Sequence, residues 1–212
     1  MSQLMPAAST LIRYRTTLVI SAIIWLLCAC ASTPQIPNQD NPQTVWTEHQ
    51  QQIATLNNWH IIGKLGIRTP TQTRSARLNW QQQQQYVDIR LSTLLGQSVA
   101  TLKGTNNHLQ IKLAGRGEFN TSEPSALLSR ELGWTLPIDM LHYWVRGIPS
   151  PQHQAHYQLN EQGLINTLQQ HHWQLSFSHY QTLDSQTLPG KIRLQQGDIT
   201  LTLVIKRWIT NP

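Results

Sequence analysis

From residue 58 onward, hydrophobic and polar residues mostly alternate along the chain. The alternating apolar positions are Ile61, Leu65 and Ile67; Ala76, Leu78 and Trp80; Val87, Ile89 and Leu91; Leu109, Ile111 and Leu113; Trp173, Leu175 and Phe177; and Leu201, Leu203 and Ile205. Polar turns, such as residues 81–85 and 104–107, separate some of these segments. Because successive side chains of a strand point to opposite faces, this period predicts about eleven antiparallel strands, each with one apolar and one polar face.

Three segments break this period and have helical spacing instead. Residues 44–57 form an amphipathic pattern that begins with Thr44 as a candidate cap. A second segment has Pro124 in its first turn and ends at Gly133, and a third, residues 137–147, is shorter. The expected fold is therefore mainly β with a few helices: a strongly curved, half-open antiparallel barrel whose apolar concave face is covered by a helical lid or plug.

The same alternation would also suit a barrel that spans a membrane. Lys64, Arg77 and Arg90 would each cost up to about 2–4 kcal/mol if they faced lipid near the bilayer midplane. The opposite orientation of the strands avoids this cost, so the period alone allows both arrangements.

An unbroken apolar run, residues 18–27, lies near the N-terminus behind two arginines. It is too short to span a hydrocarbon core of roughly 30 Å, so it predicts a secretory signal and not a membrane-spanning helix. Residues 27–30, Leu-Cys-Ala-Cys, resemble the bacterial lipobox, in which a small residue precedes the modified cysteine. We therefore expect residues 1–29 to be a cleaved signal peptide and Cys30 to carry the lipid.

Lipidation of Cys30 would give the chain a firm anchor, because three acyl chains each contribute about 0.8 kcal/mol per buried methylene. Ala31 occupies the position at which an aspartate tends to retain enteric lipoproteins in the inner membrane. The resemblance to such lipoproteins implies the outer membrane and its periplasmic face. Residues 30–43, with three prolines, predict a flexible tether, and residues 44–212 predict a single domain. A barrel that spans the membrane would not need this anchor.

Composition argues against several other classes of protein. The formal net charge of +6 is spread without a basic run, so a nucleic-acid partner is not expected. Both cysteines lie in residues 28–30, which rules out a disulfide within the mature chain. His153 and His156 fall on opposite faces of a predicted strand, and no metal-ligand motif or cofactor motif is present. The sequence has no GxSxG elbow and no paired acidic motif, so we do not expect an enzyme.

A family resemblance is carried by residues 132–151, LGWTLPIDMLHYWVRGIPSP. This stretch contains Leu-Gly-Trp, a Leu-Pro pair and Leu-x-x-Trp-x-x-Gly-x-Pro. With the later LPGKIRL and LTLVIKRW, and with Trp59, Trp80 and Trp173 at fitting intervals, nearly the whole mature chain resembles the LolB family of outer-membrane lipoprotein receptors. The chain departs from the family at the His-His pair before Trp173, where a glycine would be expected.

The resemblance implies a half-open barrel with a hydrophobic cavity, similar to that of the periplasmic carrier LolA. A LolB-family protein accepts lipoproteins from LolA and inserts their acyl chains into the inner leaflet of the outer membrane, without a nucleotide or covalent chemistry. The implied partners are a LolA-like carrier, lipoprotein acyl chains and outer-membrane lipid, and we expect a monomer. The candidate cavity residues are Leu65, Ile67, Leu78, Trp80, Ile89, Leu91, Leu141, Trp144, Trp173, Leu175, Leu201 and Leu203.

The stretch Ser-Thr-Leu-Leu-Gly, residues 92–96, connects the strand ending near Leu91 with the one beginning near Ser98. Hairpin loops are normally polar because their side chains face water, yet this loop carries Leu94 and Leu95. In the LolB family a leucine immediately before a glycine projects into solvent here and is implicated in membrane insertion, and Leu95 matches that position. The residues before it depart from the family's usual Asn-Pro. The alternative is that one leucine folds back over the mouth of the barrel.

Two further alternatives stay open at the level of sequence. The aliphatic strand positions and the tryptophans could form an ordinary core with no cavity, and Arg146-Gly147 could simply end a helix. A structural or envelope-assembly lipoprotein that binds a protein partner would share the anchor and the strands. Stoichiometric binding of acyl chains would distinguish a carrier from such a module.

Overall fold

The computed structural model describes residues 41–105, 107–210 and 212, so the predicted signal peptide and Cys30 lie outside the described residues. The helices are α1 (Pro42–Ala54), α2 (Pro124–Leu132) and α3 (Ile138–Trp144). The strands are β1 (Asn58–Arg68), β2 (Thr73–Gln83), β3 (Tyr86–Ser92), β4 (Ser98–Thr105), β5 (His108–Leu113), β6 (Gly117–Thr121), β7 (Ala155–Leu159), β8 (Ile165–Gln170), β9 (Trp173–Ser178), β10 (Gln181–Leu183), β11 (Gln186–Leu188), β12 (Lys191–Gln196) and β13 (Ile199–Thr210).

Eleven of these strands form one antiparallel sheet in the order β6-β5-β4-β3-β2-β1-β13-β12-β9-β8-β7. The strands β10 and β11 form a separate hairpin. Within the described residues the two edge strands, β6 and β7, do not pair with each other, so the sheet stays open along one side. The predicted fold class, a half-open antiparallel barrel of about eleven strands with helices, is confirmed.

The register between β1 and β13 shows how the alternation produces an inside and an outside. Leu65 pairs with Leu203 on the concave face, whereas the neighbouring Lys64 pairs with Val204 on the outer face. The ladder shifts at Gly63, where a Cβ atom would lie 2.3 Å from the carbonyl oxygen of Val204. Only a glycine allows the two backbones to approach this closely.

Helix α1 begins earlier than its apolar pattern predicts. The cap is Asn41 and not Thr44: the Asn41 side chain accepts a hydrogen bond from the backbone N–H of Gln43, and Pro42 occupies the first turn. Residues 42 and 43, which the proline content assigns to the tether, are therefore helical. The buried side of α1 includes Trp46, whose indole N–H donates to the hydroxyl of Tyr157 on β7 at 3.0 Å.

The helix α2 agrees closely with its sequence signals, whereas α3 ends at Trp144, before the predicted end at residue 147. Pro124 starts α2, and Gly133 ends it with a φ of 79° that favours glycine. The chain then crosses to α3, which buries Ile138, Met140 and Trp144. None of the helices in the described ranges has the length and apolar character needed to cross a membrane.

Candidate functional site

An apolar cavity of about 530 Å³ lies between the concave face of the sheet and the helices α2 and α3. Its wall is formed by β1 to β5, β12 and β13, and its lid by α2, the loop after α2 and α3. The predicted residues that line it are Leu65, Ile67, Leu78, Trp80, Ile89, Leu91, Leu141, Leu201 and Leu203. This volume is typical of pockets that bind small hydrophobic ligands.

Three of the predicted cavity residues do not line this cavity. Trp144 and Trp173 are almost fully buried and pack against each other with ring centroids 6.5 Å apart. Leu175 is also buried and lies on β9, one strand beyond the wall strand β12, where it pairs with the wall residue Leu194. The indole N–H of Trp144 donates to the side-chain oxygen of Gln170 at 2.8 Å, so this region is a solid core with a polar anchor.

Other parts of the wall were missed in the sequence. Ala100 and Leu102 on β4 line the cavity, but small and polar neighbours dilute the alternation of that strand. Trp134 and Leu136 close the cavity from the loop between α2 and α3. A loop has no hydrophobic period, so the sequence pattern could not indicate that these residues line the cavity. Leu194 on β12 completes the wall, and its place in an alternating segment would have supported its inclusion.

The mouth of the cavity is bordered by the β1–β2 turn, the β5–β6 turn and the C-terminal end of α2. Arg116 on the β5–β6 turn approaches Glu131 on α2 with an Nη1–Oε2 distance of 3.7 Å. Both residues are partly exposed, so this ion pair contributes at most about 1 kcal/mol. It nevertheless joins the lid to the sheet at the mouth.

The β3–β4 loop presents both of its leucines to solvent. Leu94 is 67% exposed and Leu95 is 90% exposed. The loop is a hydrogen-bonded turn: the N–H of Gly96 donates to the carbonyl of Thr93 at 3.1 Å, and the N–H of Thr93 donates to the carbonyl of Gln97 at 2.9 Å. With Gly96 at a φ of 85°, this geometry holds the leucines outward, and neither of them lines the cavity.

Comparison with known proteins agrees with this geometry. A profile of the family described as "Outer membrane lipoprotein LolB" matches residues 57–208. The chain belongs to the LolB family.

Relatives named "Outer-membrane lipoprotein LolB" match most of the chain. The protein of Pseudomonas paraeruginosa is 39% identical over 199 residues, which cover 92% of this chain and 96% of the relative. The protein of Stutzerimonas stutzeri is 37% identical over 193 residues, which cover 90% of this chain and 94% of the relative. The predicted family and the predicted receptor role in lipoprotein localisation are confirmed. This role is not enzymatic, and the family match does not favour the structural or assembly alternative.

Solved structures with little sequence identity share the LolB fold. A LolA superfamily protein from Nitrosomonas europaea has a TM-score of 0.52 at 5% identity, covering 81% of this chain and 94% of its own. A DUF1329 family protein from Desulfovibrio piger has a TM-score of 0.52 at 9% identity, covering 80% and 92%. Identities this low show only that the fold is shared.

Proposed function

We propose that this LolB-family protein is anchored in the outer membrane through Cys30 and faces the periplasm. It accepts lipoproteins from a LolA-type carrier by taking their acyl chains into the apolar cavity, and it inserts them into the inner leaflet of the outer membrane. The observation that carries this proposal is the apolar cavity enclosed by the sheet and the lid. The lipid anchor and the tether hold this cavity near the bilayer that receives the client.

The cavity suits acyl chains because most of its wall is aliphatic or aromatic, and its polar lining residues belong mainly to the turns at the mouth. Each methylene removed from water contributes about 0.8 kcal/mol, so about twelve methylenes would contribute on the order of 10 kcal/mol. Transfer without an energy source then requires the LolB cavity to bind the chains more tightly than the carrier does, by about 1.4 kcal/mol for each tenfold bias. The domain acts as a monomer in this scheme.

Insertion needs a feature that brings the mouth to lipid, and the β3–β4 loop supports this role. An exposed leucine that enters the acyl boundary gains up to about 1.5–3 kcal/mol. Leu95 is the more exposed of the two leucines and Leu94 flanks it. We assign membrane contact to Leu95, with Leu94 as a secondary contact.

The acceptance step is tested with a pair of neighbouring tryptophan substitutions on β1. Leu65→Trp adds volume to the cavity wall, whereas Lys64→Trp adds the same side chain to the outer face of the same strand. Both are made in a soluble mature chain carrying Cys30→Ala, and transfer from a purified LolA-like carrier is measured with a labelled lipoprotein. Leu65→Trp should reduce acceptance, and Lys64→Trp should retain it. Equal acceptance by both variants at equal thermal stability would refute the cavity as the acceptor.

A further inference from the structure

A second cavity, of about 890 Å³, lies at the other end of the strands from the mouth. It is lined by residues at the start of β1 and the end of β2, whereas the mouth of the apolar cavity borders the turn between these strands. We call it the polar chamber, because Asn58, Gln82, Gln84, Thr105, Tyr143 and Arg146 contribute to its lining. The two cavities share Trp80, Ile89, Ile138 and Leu141 as a common wall.

Arg146 gives the polar chamber its charge. Only 3% of the surface of this residue is exposed. Its Nε donates to the carbonyl of His142 at 2.8 Å, and its Nη1 donates to the carbonyls of Ile53 and Leu56 at 3.0 and 2.8 Å. Among the described residues no carboxylate pairs with this guanidinium, and Nη2 has no hydrogen-bond partner. The carbonyls tie the ends of α1 and α3 together but do not neutralise the charge.

The titratable groups that contact Arg146 are His142 and Tyr143, and the guanidinium carbon lies 5.5 Å from the centre of the Tyr143 ring. Neither of them is a carboxylate. Burial, and secondarily the charge of Arg146, lower the pKa of His142 to about 4, so His142 is neutral near pH 7. Burial lowers the pKa of Arg146 itself to about 10, which leaves it positive at that pH. Among the described residues, neither Asp nor Glu contributes to the chamber lining. A buried cation without an acidic partner is costly unless an anion joins it.

We propose that the polar chamber binds the anionic head of an amphiphile, a phosphate or a carboxylate, whose hydrocarbon chain lies along the wall shared with the apolar cavity. Arg146 Nη2 is the donor to the head, and the amides of the lining residues supply further hydrogen bonds. Trp80, Ile89 and Leu141 provide the apolar surface for the chain. This binding goes beyond lipoprotein transfer, since acceptance of neutral acyl chains needs no charged group.

The direct test compares three probes by isothermal titration calorimetry on the mature chain carrying Cys30→Ala. The probes are octyl phosphate, octyl glucoside below its micellar concentration, and inorganic phosphate. Octyl phosphate should bind at least about tenfold more tightly than either of the others, because only this probe combines a charged head for Arg146 with an alkyl chain that is removed from water. Equal affinities for the two octyl compounds would overturn the charge recognition. Equal affinities for the two phosphates would overturn the assignment to an amphiphile.

Substitution of Arg146 itself would remove three structural hydrogen bonds and could unfold the domain. The role of its charge is therefore tested by substituting a more exposed residue of the chamber lining. Tyr86 lines the chamber and is 46% exposed. Tyr86→Glu should weaken octyl phosphate binding about tenfold relative to Tyr86→Gln, because it places on the chamber lining a carboxylate that repels an anionic head, while octyl glucoside should not distinguish the two variants. If both variants bind octyl phosphate equally, the proposal fails. Lipoprotein transfer is measured separately, so a failure here leaves the proposed function untouched.

Discussion

The substitution Leu95→Glu should separate membrane insertion, the role we propose for the β3–β4 loop, from folding and from acceptance. The side chain is 90% exposed and does not line the cavity, so the free energy of unfolding should change by no more than about 0.5 kcal/mol. Loss of the leucine removes up to about 1.5–3 kcal/mol of favourable contact with the acyl boundary. Because about 1.4 kcal/mol corresponds to a tenfold change, the rate of release into membranes should fall by one to two orders of magnitude.

The assay loads the soluble chain with a labelled lipoprotein from the carrier and then follows release into zwitterionic liposomes. Gln97→Glu is the matched control, because it places the same charge in the same loop and keeps both leucines. Gln97 is exposed, and only its backbone takes part in the turn hydrogen bonds. Release should be slow for Leu95→Glu and near normal for Gln97→Glu. Normal release by Leu95→Glu, equal impairment by both variants, or a large fall in melting temperature would refute the reasoning.

The remaining predictions concern stability and anchoring. Gly63→Ala should lower the free energy of unfolding in urea by at least about 1–3 kcal/mol, because the new Cβ meets the Val204 carbonyl; no loss would show that the ladder relaxes freely. The pKa of His142 is about 4 when folded and 6.5 when unfolded, so the unfolded chain binds more protons between these values. Stability should therefore fall as the pH decreases through this window, and less so in His142→Gln; identical pH profiles would contradict this. Cys30→Ala behind a non-lipoprotein signal should fractionate as a soluble periplasmic monomer that still accepts lipoproteins, and membrane retention would count against Cys30 as the anchor.

The cavity wall follows from the alternation of the sequence wherever a strand is long and uniformly patterned. Leu65 and Ile67 on β1 face Leu203 and Leu201 on β13, as the two-residue period requires. The period identifies which residues point inward but not whether a ligand or another side chain meets them there. For this reason the sequence could not separate Trp173, which is solid core, from the wall.

The structure differs from the hydrophobic pattern at two other places, because of local features that the pattern does not contain. Val99 lies one position away from the inward residue Ala100, yet it borders the cavity next to an irregularity in the β3–β4 ladder. Near the N-terminus, prolines are compatible both with a linker and with the first turn of a helix. Here the Asn41 side chain caps the helix, so Pro42 lies in its first turn. Polar chambers such as that around Arg146 depend on which helix ends meet, a long-range fact that a linear pattern does not contain.

The position of β13 between β1 and β12 affects the order in which the domain can fold. The first six strands form a meander of local hairpins, but β1 meets its second neighbour only when the last dozen residues of the chain arrive. Pairings between such distant segments slow folding, since a loop spanning nearly the whole domain must close. Until β13 pairs, the sheet has an unsatisfied edge at β1 and the cavity lacks Leu201 and Leu203. The hairpins of β1 to β6 can therefore form before the apolar cavity exists, and the cavity is completed only by a contact between distant parts of the domain.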